Sequence, residues 1–131
     1  MIDTVLCYFD VSTRTREETD LLEKEMRSLK EEKWLICRRC KQLITPESDA
    51  ININEQHIHT FMNPAGIIYT FGCFQNAKGC VSDGKSTFEY SWFRNYSWQI
   101  ALCSGCHEHL GWLFQNGQKF FALILDKLMQ S

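Results

Sequence analysis

Leu22, Met26 and Leu29 recur at spacings of four and three inside a charged stretch, which predicts a helix with one narrow apolar stripe. Thr15-x-x-Glu18 resembles a capping box at its start. Asp20 with Lys24, and Glu23 with Arg27, stand four apart in the acid-first order, each pair worth a few tenths of a kcal/mol. Two readings of this helix stand: a solvated helix with its stripe packed on its own domain, or a short self-association helix. From Ile36 onward helical spacing stops, and short β-prone runs alternate with turn residues at 63–66, 82–85, 94–95 and 116–117. The strand candidates are 67–71, 97–102 and 120–125, with 56–61 alternating more weakly. The pattern predicts a helical extension over 1–34 and a mainly β, mostly antiparallel body over 35–131.

Composition narrows this further. The 131 residues suit one ordinary domain, and 44% hydrophobic with 23% charged residues is the balance of a globular protein with a real core. A net charge of -2, with no basic run longer than Arg38-Arg39, gives little with which to neutralise phosphates, so no nucleic-acid partner is expected. The first residues lack a basic segment and a small-residue cleavage site. The longest uncharged apolar run, Phe120 to Leu125, falls far short of the roughly 20 residues a bilayer demands. No membrane association and a cytoplasmic location are the expectation.

Seven cysteines is an odd number, and four of them form two C-x-x-C pairs, Cys37/Cys40 and Cys103/Cys106. Without a secretory signal this favours metal over disulfides. Each two-residue gap lets both sulfurs of a pair face one ion, so the two pairs make a four-thiolate tetrahedral site with no open position. That suits one structural Zn2+ per chain. Four thiolates and one Zn2+ take the formal charge to about -4. Cys103 to His107 also satisfies the C-x-x-C-H pattern of haem attachment, but that would leave the first pair unexplained. A thioredoxin-like pair would need a βαβ context that the pattern lacks. Cys7, Cys73 and Cys80 are left over, as small buried hydrophobes. His57 and His59 share a strand face, and two imidazoles without a third ligand read as surface residues.

Three tryptophans crowd the second cysteine pair: Glu89-Tyr-Ser-Trp92-Phe-Arg-Asn-Tyr-Ser-Trp98 precedes it and His109-Leu-Gly-Trp112-Leu-Phe114 follows. On composition alone they read as core. The ordered pattern N-P-x-G, S-W-F-x-x-Y-x-W, C-x-x-C-x-x-H-L-G-W resembles the cereblon-type thalidomide-binding domain and its single-domain bacterial relatives, from about Leu35 to Leu128. The resemblance implies a β-tent of two roughly orthogonal antiparallel sheets pinned by zinc. It implies a cage walled by Trp92, Trp98 and Trp112, with Phe114 at its base and Asn63 and Pro64 in a loop over its mouth. Glu89, Tyr90 and Ser91 complete the implied ligand-binding set, with the backbone of Tyr90 and Trp92 reading the ligand. Tyr90 stands where eukaryotic members have a histidine, so that side-chain contact is not carried over. Arg94-Asn95 replaces the family's Pro-Gly turn, and Asn tolerates the left-handed conformation such a turn needs.

The resemblance thus implies a non-catalytic module binding a small cyclic imide of glutarimide or thalidomide type. Uracil, uridine and peptides ending in a cyclic imide are further candidates. The regions that make eukaryotic members ubiquitin-ligase receptors are not recognised here, so that role is not expected. Two alternatives remain: a zinc-pinned enzyme of the methionine sulfoxide reductase type, which would need a nucleophilic cysteine beside the cage, and a protein-interaction scaffold working through the helix.

Overall fold

The computed structural model describes residues 15–131, with the side chains of all but 25–31 of these. The chain divides into two compact units between Glu32 and Lys33. The first holds helix α1 (Arg16–Glu31). Thr15 caps it: its Oγ1 accepts the Glu18 N–H at 3.1 Å and lies 3.1 Å from Glu18 Oε1. Leu21 and Leu22 are exposed on it. The side chains of Met26, Arg27 and Leu29 lie outside the described residues, so the expected stripe and the Glu23/Arg27 pair do too. So does Cys7.

The second unit is two antiparallel sheets. β1 (Trp34–Cys37) pairs with β2 (Leu43–Pro46) on one side and β9 (Leu128–Gln130) on the other. The larger sheet comprises β3 (Ile58–Met62), β4 (Ile68–Phe74), β5 (Cys80–Thr87), β6 (Ser97–Cys103), β7 (His109–Gln115) and β8 (Lys119–Ile124). Its order is β3-β4-β8-β7-β6-β5.

The four expected strands are there, with ends displaced by up to three residues. The short strands β1, β2 and β9 were not expected, and β5 and β7 depart from the sequence reading for identifiable reasons. Ser82 to Lys85, expected as a turn, lies within β5. This strand pairs only with β6, so its side chains from Val81 to Ser86 are exposed and carry no apolar alternation. Gly84 takes φ +79° where the β5/β6 register slips between Asp83 and Thr87, so the turn-like glycine marks a bulge in an edge strand. β7 escapes a period-two search for the opposite reason. Both its faces are buried, so it reads as one apolar run.

The central strands separate two cores. On one face Ala101, Cys103, Leu110, Leu113, Phe121 and Leu123 join Cys37, Ile44, Phe74 and Leu128. On the other, Trp112, Phe114, Phe120, Ala122 and Ile124 join Phe71, Cys73 and Phe93, with Trp92, Trp98 and Tyr69 packed against them. Successive residues of β8 alternate between the two, as the pleat requires. His59, expected at the surface, is buried in the second core, stacked on Phe71 with centroids 5.7 Å apart, and its Nε2 meets the Gln56 carbonyl. His57 Nδ1 is 3.0 Å from the Ile51 carbonyl. Each imidazole thus has a backbone carbonyl as partner. Among the described residues the grouping suited to a metal is the cysteine one.

Candidate functional site

Two arrangements lie against these cores. The first brings together Cys37, Cys40, Cys103 and Cys106, whose sulfurs all lie within 4.8 Å of one another. The Cys37–Cys106 and Cys40–Cys103 separations are 3.7 and 3.5 Å. A tetrahedral ion with bonds of about 2.3 Å to sulfur has edges of about 3.8 Å, so the four residues fit such an ion. The donor chemistry agrees. Four cysteine sulfurs with no open position are a donor set suited to a structural tetrahedral ion. No described helix is long and apolar enough to cross a membrane.

Both cysteine pairs are held by the same backbone device. The Lys41 N–H donates to the Cys37 carbonyl and the His107 N–H to the Cys103 carbonyl, each at 2.8 Å. Lys41 and His107 then take φ +69° and +63°, and the chain returns so that the Cys37 N–H meets the Gln42 carbonyl and the Cys103 N–H that of Glu108. The Gly105 N–H points to the Cys103 sulfur at 3.4 Å. His107, the histidine of the C-x-x-C-H pattern, is therefore an exposed turn residue. A charged latch joins the two turns: Glu108 takes Arg39 Nη1 at 3.0 Å on one oxygen and Lys127 Nζ at 2.8 Å on the other. The lysine bond first, then the arginine, holds the Glu108 carboxyl below its ordinary range. Arg38 donates to the Asp126 and Leu128 carbonyls, tying the first turn to the chain entering β9.

The second arrangement is a cavity of about 300 Å³ on the other face, at the small end of ligand pockets. Asn63 and Pro64 from the β3–β4 turn, Tyr90 and Trp92 from the β5–β6 loop, Trp98 from β6, and Trp112 and Phe114 from β7 all line it. Trp92 lies nearly parallel to Phe61 and Phe71 at 5.6 Å, and the Trp112 ring stands 78° to it at 4.8 Å. Both loop-side indoles spend their N–H on backbone: Trp98 on the Glu89 carbonyl at 2.7 Å, Trp92 on that of Met62 at 3.1 Å. Their faces, not their N–H groups, are left for a ligand.

The remaining two members of the expected set stand differently. Glu89 and Ser91 are absent from the lining and shape the loop instead. The Glu89 N–H binds Thr87 Oγ1, Ser91 Oγ donates to the Phe93 carbonyl, and the Ser91 N–H meets that of Phe88. These bonds hold Tyr90 at φ +57°, a left-handed conformation costing about 1–2 kcal/mol for a residue with a side chain. Neither the Tyr90 carbonyl nor the Trp92 N–H hydrogen-bonds to another described residue. Asn95 takes φ +68° in the tight turn between Trp92 and Trp98.

Tyr69, Ile100 and His109 also line the cavity and were not foreseen. Tyr69 and Ile100 sit on strands whose cage-facing phase the sequence does not announce. His109 is placed by a bulge: Leu102 pairs with His109 but Ala101 with Gly111, so Leu110 is extra, and His109 reaches the side of Trp112. The bulge depends on close approach at Gly111, where a Cβ would lie 1.9 Å from the Ala122 carbonyl oxygen. The His109 ring stands edge-on to Trp112 at 5.0 Å, and its Nε2 is 3.0 Å from the Gly111 carbonyl, which only accepts, so Nε2 carries the proton. Burial draws its pKa below 6.5, keeping the ring neutral at pH 7.

Protein cereblon of Drosophila willistoni is 33% identical over 93 residues, covering 67% of this chain and 15% of that protein. Protein cereblon of Drosophila melanogaster is 30% identical over 93 residues, covering 67% of this chain and 16% of that protein. This chain thus spans about 15% of the length of these relatives. No protein-family model matches it.

Proposed function

We propose, from the premise that this chain carries a cereblon-like domain, that it is a non-catalytic module whose cavity binds a small cyclic imide and whose four cysteines hold one structural Zn2+. One observation carries the ligand reading. At an apolar cavity walled by three indoles, the Tyr90 carbonyl and the Trp92 N–H have no hydrogen-bond partner among the described residues, on a loop that holds Tyr90 in a left-handed conformation. A cyclic imide presents a ring N–H between two carbonyls along one edge and methylenes elsewhere. The Tyr90 carbonyl suits the N–H, the Trp92 N–H suits one carbonyl, and the indole faces cover the methylenes. A glutarimide of about eight heavy atoms bound at micromolar strength needs about -1 kcal/mol per atom, below the ceiling for tiny ligands.

Uracil and uridine share the imide edge but place a polar side where the methylenes would lie, so weaker binding is expected of them. A peptide ending in a cyclic imide presents the same edge. The reductase alternative needs a reactive thiol beside the cage. Cys73 is buried, its thiol pushed up to about 12 by desolvation, and Cys80 lies on β5; neither lines the cavity. The division into a helical extension over 1–34 and a ligand-binding domain over 35–131 is part of the same proposal, as is a cytoplasmic location.

Titrating glutarimide, succinimide and uracil into zinc-loaded protein, followed by tryptophan fluorescence, tests this reading. Saturable quenching by the imides, with uracil weaker, is expected. No response to any of them would leave the indoles as core and turn attention to α1.

A further inference from the structure

A fifth cysteine stands beside the four-cysteine site. β5 and β6 place Cys80 directly opposite Cys103, and the bond from the Ser104 N–H to the Gly79 carbonyl at 2.8 Å makes this a non-hydrogen-bonded antiparallel pair. Such pairs bring Cα atoms to about 4.5 Å with side chains on the same face, inside the roughly 4.4–6.8 Å range that a disulfide spans. Cys80 packs against the core that contains Cys37 and Cys103 and is only partly buried, whereas Cys103 is fully buried. The pair thus joins one partly exposed cysteine, whose thiol burial pushes up to about 12, to one candidate metal ligand. Cys73 opposes Ala122 in the register, and the other three ligands face no further cysteine across a strand.

We propose that Cys80 and Cys103 form an oxidisable pair through which a peroxide unloads the metal site. This rests on the reading that the four cysteines hold zinc. Peroxide at the Cys80 sulfur breaks the O–O bond and forms an S–O bond, leaving a sulfenic acid and one water. The Cys103 thiolate then attacks that sulfur: the S–S bond forms, the S–O bond breaks, and the hydroxide leaves and takes a proton as a second water. One thiol, one thiolate, one hydrogen peroxide and one proton thus become one disulfide and two waters, the two sulfurs losing two electrons and the peroxide gaining them. Cys103 in the disulfide is no longer an anionic donor, so three thiolates remain and the ion leaves. A thiol reductant reverses the step, and added zinc then reloads the site.

Zinc-loaded protein is treated with a few equivalents of hydrogen peroxide while released zinc is followed with a chromogenic chelator, and the product is digested without reduction and mapped by mass. A disulfide linking the Cys80 and Cys103 peptides is expected. Release should be at least about tenfold slower in Cys80→Ala and Cys80→Ser, which leave all four ligands in place, and unchanged in Cys73→Ala. Release from the Cys80 variants at the natural rate, or a first disulfide between any other two cysteines, would overturn the proposal. Should the purified protein hold no zinc, the metal reading fails, while the mapped disulfide still decides whether Cys80 and Cys103 are the oxidisable pair.

Discussion

The metal clip and the aromatic cage lie on opposite faces of the same strands, and they are built on opposite principles. The clip would take four ligands from two local turns with one backbone geometry, so each half is close in sequence and its fit is set by bond lengths. The cage takes its walls from a strand turn, an irregular loop and three strands, so its fit is set by how the sheet pleats and where it bulges. The difference teaches that the candidate metal site is a property of spacing, whereas the candidate ligand cavity is a property of the assembled fold.

The largest expected effect breaks the clip. A structural zinc contributes about 10–16 kcal/mol, comparable to or above the whole stability of a domain of about 5–15 kcal/mol. Cys103→Ser or Cys37→Ser should therefore leave the chain unfolded and without zinc, read by circular dichroism and elemental analysis. A folded, zinc-free Cys103→Ser protein would show that the sheets stand without the ion.

Changes to the cage should divide by burial. Trp98, partly exposed, can be removed with little damage to the core: Trp98→Ala should weaken imide binding by roughly a hundredfold, in line with about 2–3 kcal/mol of lost apolar contact, and retain zinc. Trp112, 7% exposed, serves both core and cage, so Trp112→Ala should lose binding and also about 3–5 kcal/mol of stability, read as a lower denaturant midpoint.

The same contrast governs what the sequence could reveal. Cys37, Cys40, Cys103 and Cys106 could be assigned from spacing because a C-x-x-C turn is complete within six residues. The tryptophans could be placed in a cage only through their resemblance to a known domain; composition alone reads them as core, and Trp112 is in fact both. His109 and the loop roles of Glu89 and Ser91 were invisible, because a one-residue bulge and a left-handed Tyr90 decide them. β5 was hidden by its exposed edge, β7 by its two buried faces.

Acid offers a subtler test of the cage side. The folded pKa of His109 lies below its unfolded value near 6.5, so the unfolded chain takes up its proton first. Its contribution to stability is complete above pH 6.5 and is lost as the pH falls from there through the folded value. The thermal midpoint of zinc-loaded protein should fall over that window, and His109→Phe should flatten the fall without changing zinc content. A slope unchanged by His109→Phe would assign the titration to another group.

The smallest effects should come from outside both arrangements. Removing residues 1–33 should leave imide affinity within a factor of a few and abolish any self-association through α1, as seen by sedimentation. A folded truncated protein that no longer binds would mean that the helix completes the pocket. Tyr90→Phe should also change little, because the contact assigned to Tyr90 is made by its backbone.

That contact is the centre of the account. Titration of zinc-loaded protein with glutarimide and with N-methylglutarimide tests it directly. Methylation removes the one ring donor and sets a methyl group against the Tyr90 carbonyl, leaving an acceptor that the bound ligand covers unsatisfied, at about 1–3 kcal/mol before any steric clash. The free imide should bind with saturable quenching of tryptophan fluorescence, and the methylated one should bind at least about tenfold more weakly. Equal affinity for the two would contradict the cage mechanism, whatever else the cavity holds.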